Sequence, residues 1–333
     1  MDALWLALAI LAAPVQDLPA SPSFGEWRDG VRAEALARGI RQEIVDEALG
    51  SIEQPDLSVI ERDRGQVELA LPLEKYLAQR VSPTIVRTAR RKLAAHRAVL
   101  ARVARQYGVS ERIIVGIWGL ESNFGAFSGV RPTVGALATL AWDRRRSALF
   151  RAELLEALEI LNGGDVDLPR LRGSWAGAMG QPQFMPSSYR KYAEDFDGDG
   201  RRDIWSSPAD VFASIANYLK AHGWTSGQAW GREVAVSREA AGRIAGQIAR
   251  RDGSCQATRD MTVALPMAQW TELGVRPIGS RALPKTEMPA SLVSGSSRHF
   301  LVYENYDALL EYNCAHSYAL SVALLADRIP ERR

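Results

Sequence analysis

The sequence predicts a mainly helical protein of the α+β class, and three observations carry that prediction. Apolar residues recur at helical spacing in the stripe Ile85, Ala89, Leu93, His96, Leu100, Val103 and Tyr107, which Gly108 closes. A more apolar stripe, Ile113, Ile117, Leu120 and Phe124, follows the N-cap residue Ser110 and stops at Gly125. From Glu233 to His299 such stripes give way to Pro266, Pro277, Pro284 and Pro289, with short apolar pieces at Met261 to Leu265 and, just beyond, Phe300 to Tyr303, as small strands require. With 333 residues and 47% hydrophobic content, the chain can bury a large core.

Taken in order, residues 1–22 read as a leader, because Ala3 to Ala13 is long enough for a signal-peptide core and too short for an ordinary membrane span. Asp2 in place of a basic start and the poor cleavage sequence Ala12 to Gln16 also fit an uncleaved anchor or a truncated start. The first cysteine is Cys255, so a lipid-anchored form is not expected. Residues 23–109 form a helical flank, 110–232 a core, 233–304 a small α+β lobe, and 305–333 a helix that returns to the core with Leu309, Tyr312, His316, Ala319 and Val322 in register.

Composition removes several function classes. The 41 basic and 39 acidic residues leave a net charge of +2, and Arg87, Arg90, Arg91, Lys92 and Arg97 read as one solvated helix face, so nucleic acid is not an expected partner. His96, His222, His299 and His316 lack ligand spacing, which argues against zinc. Cys255 and Cys314 either pair in an oxidising compartment or stay as two buried thiols.

Glu121 is the candidate catalytic residue. It lies near the end of the apolar helix, three and four residues after Trp118 and Ile117, at the margin of the buried stripe. Burial and the negative helix end both favour its neutral form, which is what protonation of a glycosidic oxygen requires. The segment SWAGAMGQPQFMPSSY, Ser174 to Tyr189, places small residues beside Ser174, Gln181 and Gln183, a pattern suited to neutral hydroxyl and acetamido groups. Pro182 and Pro186 make it a loop that leads into a short helix near Pro186 to Tyr192. Trp175 is the tryptophan expected nearest the groove.

A hydrolase normally needs two carboxylates, and neither segment holds a second one. Asp143, Asp165 and Asp167 lie between them, where caps and turns explain Asp. A single Glu121 acting first as acid and then as base is therefore preferred.

Asp195, Asp197, Asp199 and Gly200 match the first half of a calcium loop, in which Arg201 would offer its carbonyl and Asp203 would take the ninth position. The twelfth position is Ser206 rather than glutamate. A metal-free Asp/Gly turn is the other reading. Ser207-Pro208-Ala209-Asp210 also reads as a capping box opening a helix from Pro208 to Ala221.

These segments, with DFDGDGRRDIW, IANYLKAHGW and YNCAHSY, resemble the lytic murein transglycosylases of the membrane-bound lytic transglycosylase B family, from about Phe24 to the C-terminus. The resemblance implies a lysozyme-like core and cleavage of the β-1,4 bond between N-acetylmuramic acid and N-acetylglucosamine, leaving a 1,6-anhydromuramic acid end; a muramidase-type hydrolase and a noncatalytic peptidoglycan-binding protein are the alternatives. It sets Glu121 as acid/base and Ser174, Gln183, Tyr218, Tyr312, Asn313 and Tyr318 in the groove; Gln181 and Pro182 stand where a well-known member has Tyr and Gly. It closes the calcium loop with Asp210, giving a structural Ca2+ and no cofactor for the chemistry. Peptidoglycan glycan strands are the implied partner of a periplasmic monomer, with cell-wall synthesis or divisome proteins as further candidates.

Overall fold

The computed structural model describes residues 22–65, 71–143, 145–279 and 288–330. Most of the expected leader lies outside them. No helix among the described residues is long and apolar enough to cross a membrane.

The chain begins with α1 (Phe24–Ala37), α2 (Gln42–Gly50), α3 (Leu57–Gly65), α4 (Leu73–Arg80), α5 (Pro83–Ala95) and α6 (Arg97–Tyr107). A reciprocal capping box opens α1: the Glu26 amide donates to Ser23 Oγ at 3.3 Å and the Ser23 amide to the Glu26 carboxylate at 2.8 Å. The single stripe expected from Ile85 to Tyr107 is two helices. His96 breaks it with φ −107° and ψ 19°, and the imidazole packs edge-on against Trp118 and Phe212, each 5.4 Å away between ring centroids.

Next come α7 (Glu111–Ser122), β1 (Arg131–Pro132), α8 (Thr133–Trp142), α9 (Ser147–Gly163), β2 (Arg172–Gly173), α10 (Pro186–Tyr192) and α11 (Pro208–Ala221). Ser110 caps α7 as expected, accepting from the Arg112 amide at 3.4 Å. The helix stops earlier than Gly125, because Asn123 takes the left-handed C-cap at φ 49°. The short helix from Pro186 and the helix from Pro208 to Ala221 stand where the prolines predict them.

The remainder is β3 (Gly231–Ala235), α12 (Arg238–Gln247), α13 (Gln256–Asp260), α14 (Met267–Glu272), β4 (Arg276–Pro277), β5 (Ser291–Ser294), β6 (His299–Val302), α15 (Glu304–Tyr312) and α16 (His316–Asp327). The expected piece Met261 to Leu265 forms only isolated bridges, Thr262 to Arg250 and Leu265 to Ala290. Instead of one returning helix there are two, because Asn313 is extended at φ −152° and ψ 116°.

The four strands form an antiparallel sheet in the order β4, β3, β6, β5, with Gly231 opposite Val302 and Ser294 opposite His299. Two apolar cores meet on it. Val293, Phe300 and Val302 join the large core, which runs from Phe24 to Ile329 and unites the helical flank with α7, α9, α11 and α16. Their neighbours Leu292 and Leu301 face a smaller core with Val234, Ile244 and Trp270. Strand alternation thus serves two interiors, which is why His299 to Val302 reads as a nearly unbroken apolar run. Each fully buried Leu, Ile or Phe here contributes about 1.5–3 kcal/mol. The two cysteines form a disulfide, Cys255 to Cys314, with a Cα separation of 5.9 Å. It ties the lobe to the break between α15 and α16.

Candidate active site

Glu121 sits one residue from the end of α7, half-buried, on a helix whose residues Ile113 to Trp118 are buried. Its carboxyl is pushed up to about 7 from an ordinary 4.5, chiefly by burial, while the Tyr318 hydroxyl and the Arg80 guanidinium pull the other way. Among the described residues, no carboxylate is one of the groups that act on it.

Tyrosine rings extend from this carboxyl as a file. Tyr318 lies against Glu121, and its hydroxyl is buried without a hydrogen-bond partner of ordinary geometry. Its ring lies 6.3 Å from Tyr312 at 10°; Tyr312 meets Tyr218 at 4.8 Å, and Tyr218 meets Tyr192 at 4.9 Å. The Tyr312 hydroxyl donates to the Pro182 carbonyl at 2.8 Å and that of Tyr218 to the Glu311 carbonyl at 2.7 Å. Burial holds all three phenols far above the neutral range, so they remain protonated. The break between α15 and α16 makes this file: it turns Tyr312 and Tyr318 onto nearly parallel planes from two helices.

Gln181 is placed differently from its expectation as a substrate-binding residue. It is 7% exposed, and both ends of its amide are taken: Oε1 accepts from the Trp118 indole at 2.7 Å and Nε2 donates to the Trp205 carbonyl at 2.8 Å. It braces α7 from behind. Gly125 serves this brace, since a Cβ there would stand 2.6 Å from Gln181 Oε1 and its φ is +79°. Likewise Gly180, expected to let backbone approach a ligand, approaches protein instead, with Ile204 2.7 Å from where a Cβ would be.

Ser174 accepts from the Ala176 and Ala178 amides at 3.3 and 3.2 Å, a turn cap. Gln183, at φ 53°, donates to the Gly180 carbonyl at 2.8 Å and stays half-buried. Asn313 is exposed at the end of α15, and Trp175 is half-buried against the large core. The intervening aspartates are occupied: Asp143 pairs with Arg145 at 3.1 Å, Asp165 with Arg202, and Asp167 caps the Arg170 amide at 3.2 Å. Arg80 has no signal in the sequence, because it comes from α4, 41 positions before Glu121. A cavity of about 450 Å3 lies between α2 and α8, and Glu121 does not line it.

The acidic loop gathers three of its expected ligands. Oxygens of Asp195, Asp197 and Asp210 lie within 4.8 Å of one another, the one such group among the described residues. Asp199 stands outside it, its carboxylate accepting from the Arg201 amide at 2.9 Å, and exposed Arg201 adds no side-chain ligand. Asp203 turns away to cap the Trp205 and Ser206 amides. Ser207 Oγ accepts from the Asp210 amide at 3.4 Å, but the Asp210 carboxylate does not complete a capping box. It takes the Phe196, Asp197 and Asp203 amides instead. Buried Asp210 is pushed up to about 6, first by burial and also by the Asp197 charge, against those amides.

The chain is 46% identical over 129 residues to membrane-bound lytic murein transglycosylase B of Escherichia coli, an alignment spanning 38% of this chain and 36% of that protein. Its fold matches SltB3 of Pseudomonas aeruginosa, solved in complex with NAG-anhNAM-pentapeptide, at a TM-score of 0.82 and 42% identity, over 92% of this chain and 79% of that one. It matches the Escherichia coli lytic transglycosylase Slt35, solved in complex with calcium, at 0.74 and 28%, over 94% of each chain. The mainly helical, lysozyme-like expectation is thereby met. The transglycosylase SLT domain model matches residues 23–327, which takes in Glu121, the tyrosine file and the acidic loop together, and the chain belongs to that family.

Proposed function

We propose that this protein is a lytic transglycosylase that cleaves the β-1,4 bond between N-acetylmuramic acid and N-acetylglucosamine in peptidoglycan. The observation that carries the reading is one half-buried carboxyl, raised to about 7, with no second carboxylate acting on it. In its neutral form Glu121 gives a proton to the departing glycosidic oxygen as the C1–O bond breaks. As a carboxylate it then takes the proton of the muramoyl C6 hydroxyl while that oxygen bonds to C1. The ring closes, the proton returns to Glu121 and no water is consumed.

The surroundings serve both halves. Burial keeps the acid protonated, while the Tyr318 hydroxyl and Arg80 favour the anion formed in between. The neutral tyrosine file suits uncharged sugar faces. Residues Asp195, Asp197 and Asp210 would hold a hard divalent cation such as calcium, since they bring surplus negative charge to one point. Its role is to fix the loop beside α11, apart from the chemistry. A peptidoglycan substrate lies outside the cytoplasm, which supports the reading of a periplasmic protein with an N-terminal leader.

Mass spectrometry of sacculi digested by wild type and by Glu121→Gln tests the proposal. The expected wild-type products are one water lighter than a muramidase's and absent from the variant digest. Hydrolytic products, or binding without turnover, overturn it.

A further inference from the structure

The turn between β5 and β6 grips a carboxylate that lies 223 positions away in the chain. Glu74 of α4 accepts from the Ser297 amide at 2.9 Å, and Gly295 comes so near that a Cβ there would stand 2.5 Å from the Glu74 carboxylate and 3.0 Å from Leu73. The turn is itself rigid: the Gly295 amide donates to the Arg298 carbonyl at 2.8 Å, and Arg298 forms a two-pronged pair with Glu233 at 2.6 and 2.7 Å and covers the Phe300 ring. Glu74 meets these donors as an anion. Its carboxyl is held at about 2, with the Ser297 amide as the first cause.

Other residues of α4 lie near Glu121 and Tyr318. Leu77 is buried, α4 packs on α16, and Arg328 donates to the Val81 carbonyl at 2.6 Å. One turn apart, Tyr76 and Arg80 stack with the guanidinium 5.4 Å from the ring centroid. The Arg80 charge reaches Glu121, and Tyr76 acts on Tyr318. In this helix of eight residues Leu77 is the one fully buried side chain, so the Glu74 contact is a second point of attachment beside the packing on α16.

We propose that Glu74 is a positioning residue: by binding the β5–β6 turn it anchors α4, and so sets Tyr76 and Arg80 beside Glu121 and Tyr318. The small lobe thereby acts on the site without touching substrate. This rests on the transglycosylase reading for its kinetic arm only.

The test compares wild type, Glu74→Ala and Glu74→Gln in steady-state cleavage of purified glycan strands and in amide hydrogen exchange. In Glu74→Ala, exchange quickens across Leu73–Arg80 and not across α7, and kcat/KM falls about tenfold or more, as for a misplaced site wall. Glu74→Gln, which keeps an acceptor oxygen, recovers most of both. A folded Glu74→Ala with wild-type exchange in α4 and wild-type kinetics overturns the proposal, as does faster exchange everywhere with kcat/KM unchanged per folded molecule. If Glu74→Ala does not fold, Glu74→Asp, too short to reach the turn, is read by the same two measures. An inactive wild type sinks the transglycosylase reading, while the exchange arm still judges Glu74.

Discussion

In the proposed reaction, Glu121 couples stability to activity through one proton. Its folded pKa of about 7 exceeds the ordinary 4.5, so between those values the folded state keeps a proton that the unfolded chain has lost. Stability contributed at this position is therefore intact below pH 4.5, declines as pH rises, and is lowest above 7, where the buried charge costs about 3 kcal/mol. Glu121→Gln should match wild type in urea unfolding at pH 4.5 and exceed it at pH 8, while turnover falls about 100- to 10,000-fold. In wild type, kcat/KM should decline above pH 7 as the acid is lost. Gln181 makes the opposite trade. Gln181→Ala leaves the Trp118 indole and the Trp205 carbonyl unpaired in the interior, and a loss of about 1–3 kcal/mol is expected by denaturant unfolding. The glutamine's polarity was legible in the sequence, but its direction was not: the same amide serves a groove or an interior, and only the partner that folding brings to it decides.

At the scale of elements, chain breaks place the functional groups. Continuous stripes were read as one helix at Ile85 to Tyr107 and again after Asn305, because side-chain periodicity survives a break that keeps both halves against one core. His96 and Asn313 carry no proline or glycine to mark those breaks. Prolines did mark α10 and α11, whose starts were readable. The acidic loop was readable by spacing, yet spacing does not orient a carboxylate, and Asp199 and Asp203 turned to nearby amides. Calcium at 100 times its dissociation constant should stabilise the protein by about 2.7 kcal/mol, seen as a rise of a few degrees in melting temperature. Asp197→Asn should remove that rise; an unchanged calcium response in this variant would exclude the site.

For the whole molecule, the disulfide and the Glu74 grip join parts distant in sequence to the helices around Glu121. Cys255 and Cys314 are 59 positions apart, and closing that loop stabilises by about 4 kcal/mol in the chain-entropy model. Reduction, or Cys255→Ser with Cys314→Ser, should lower the melting temperature by several degrees and leave Glu121→Gln as inactive as before; an unshifted melting curve on full reduction, checked by thiol titration, refutes this. The sequence by itself determined the helical class, the place of Glu121 at the margin of a buried stripe and the acidic loop, because periodicity, burial at a stripe margin and alternating carboxylates are local properties. Tertiary structure decided which polar groups face Glu121 and which brace it, that Arg80 and Tyr318 meet there from opposite ends of the chain, and that the cysteines pair. Those outcomes depend on how helices pack around a shared core, and no local pattern encodes the distance between residues that only packing brings together.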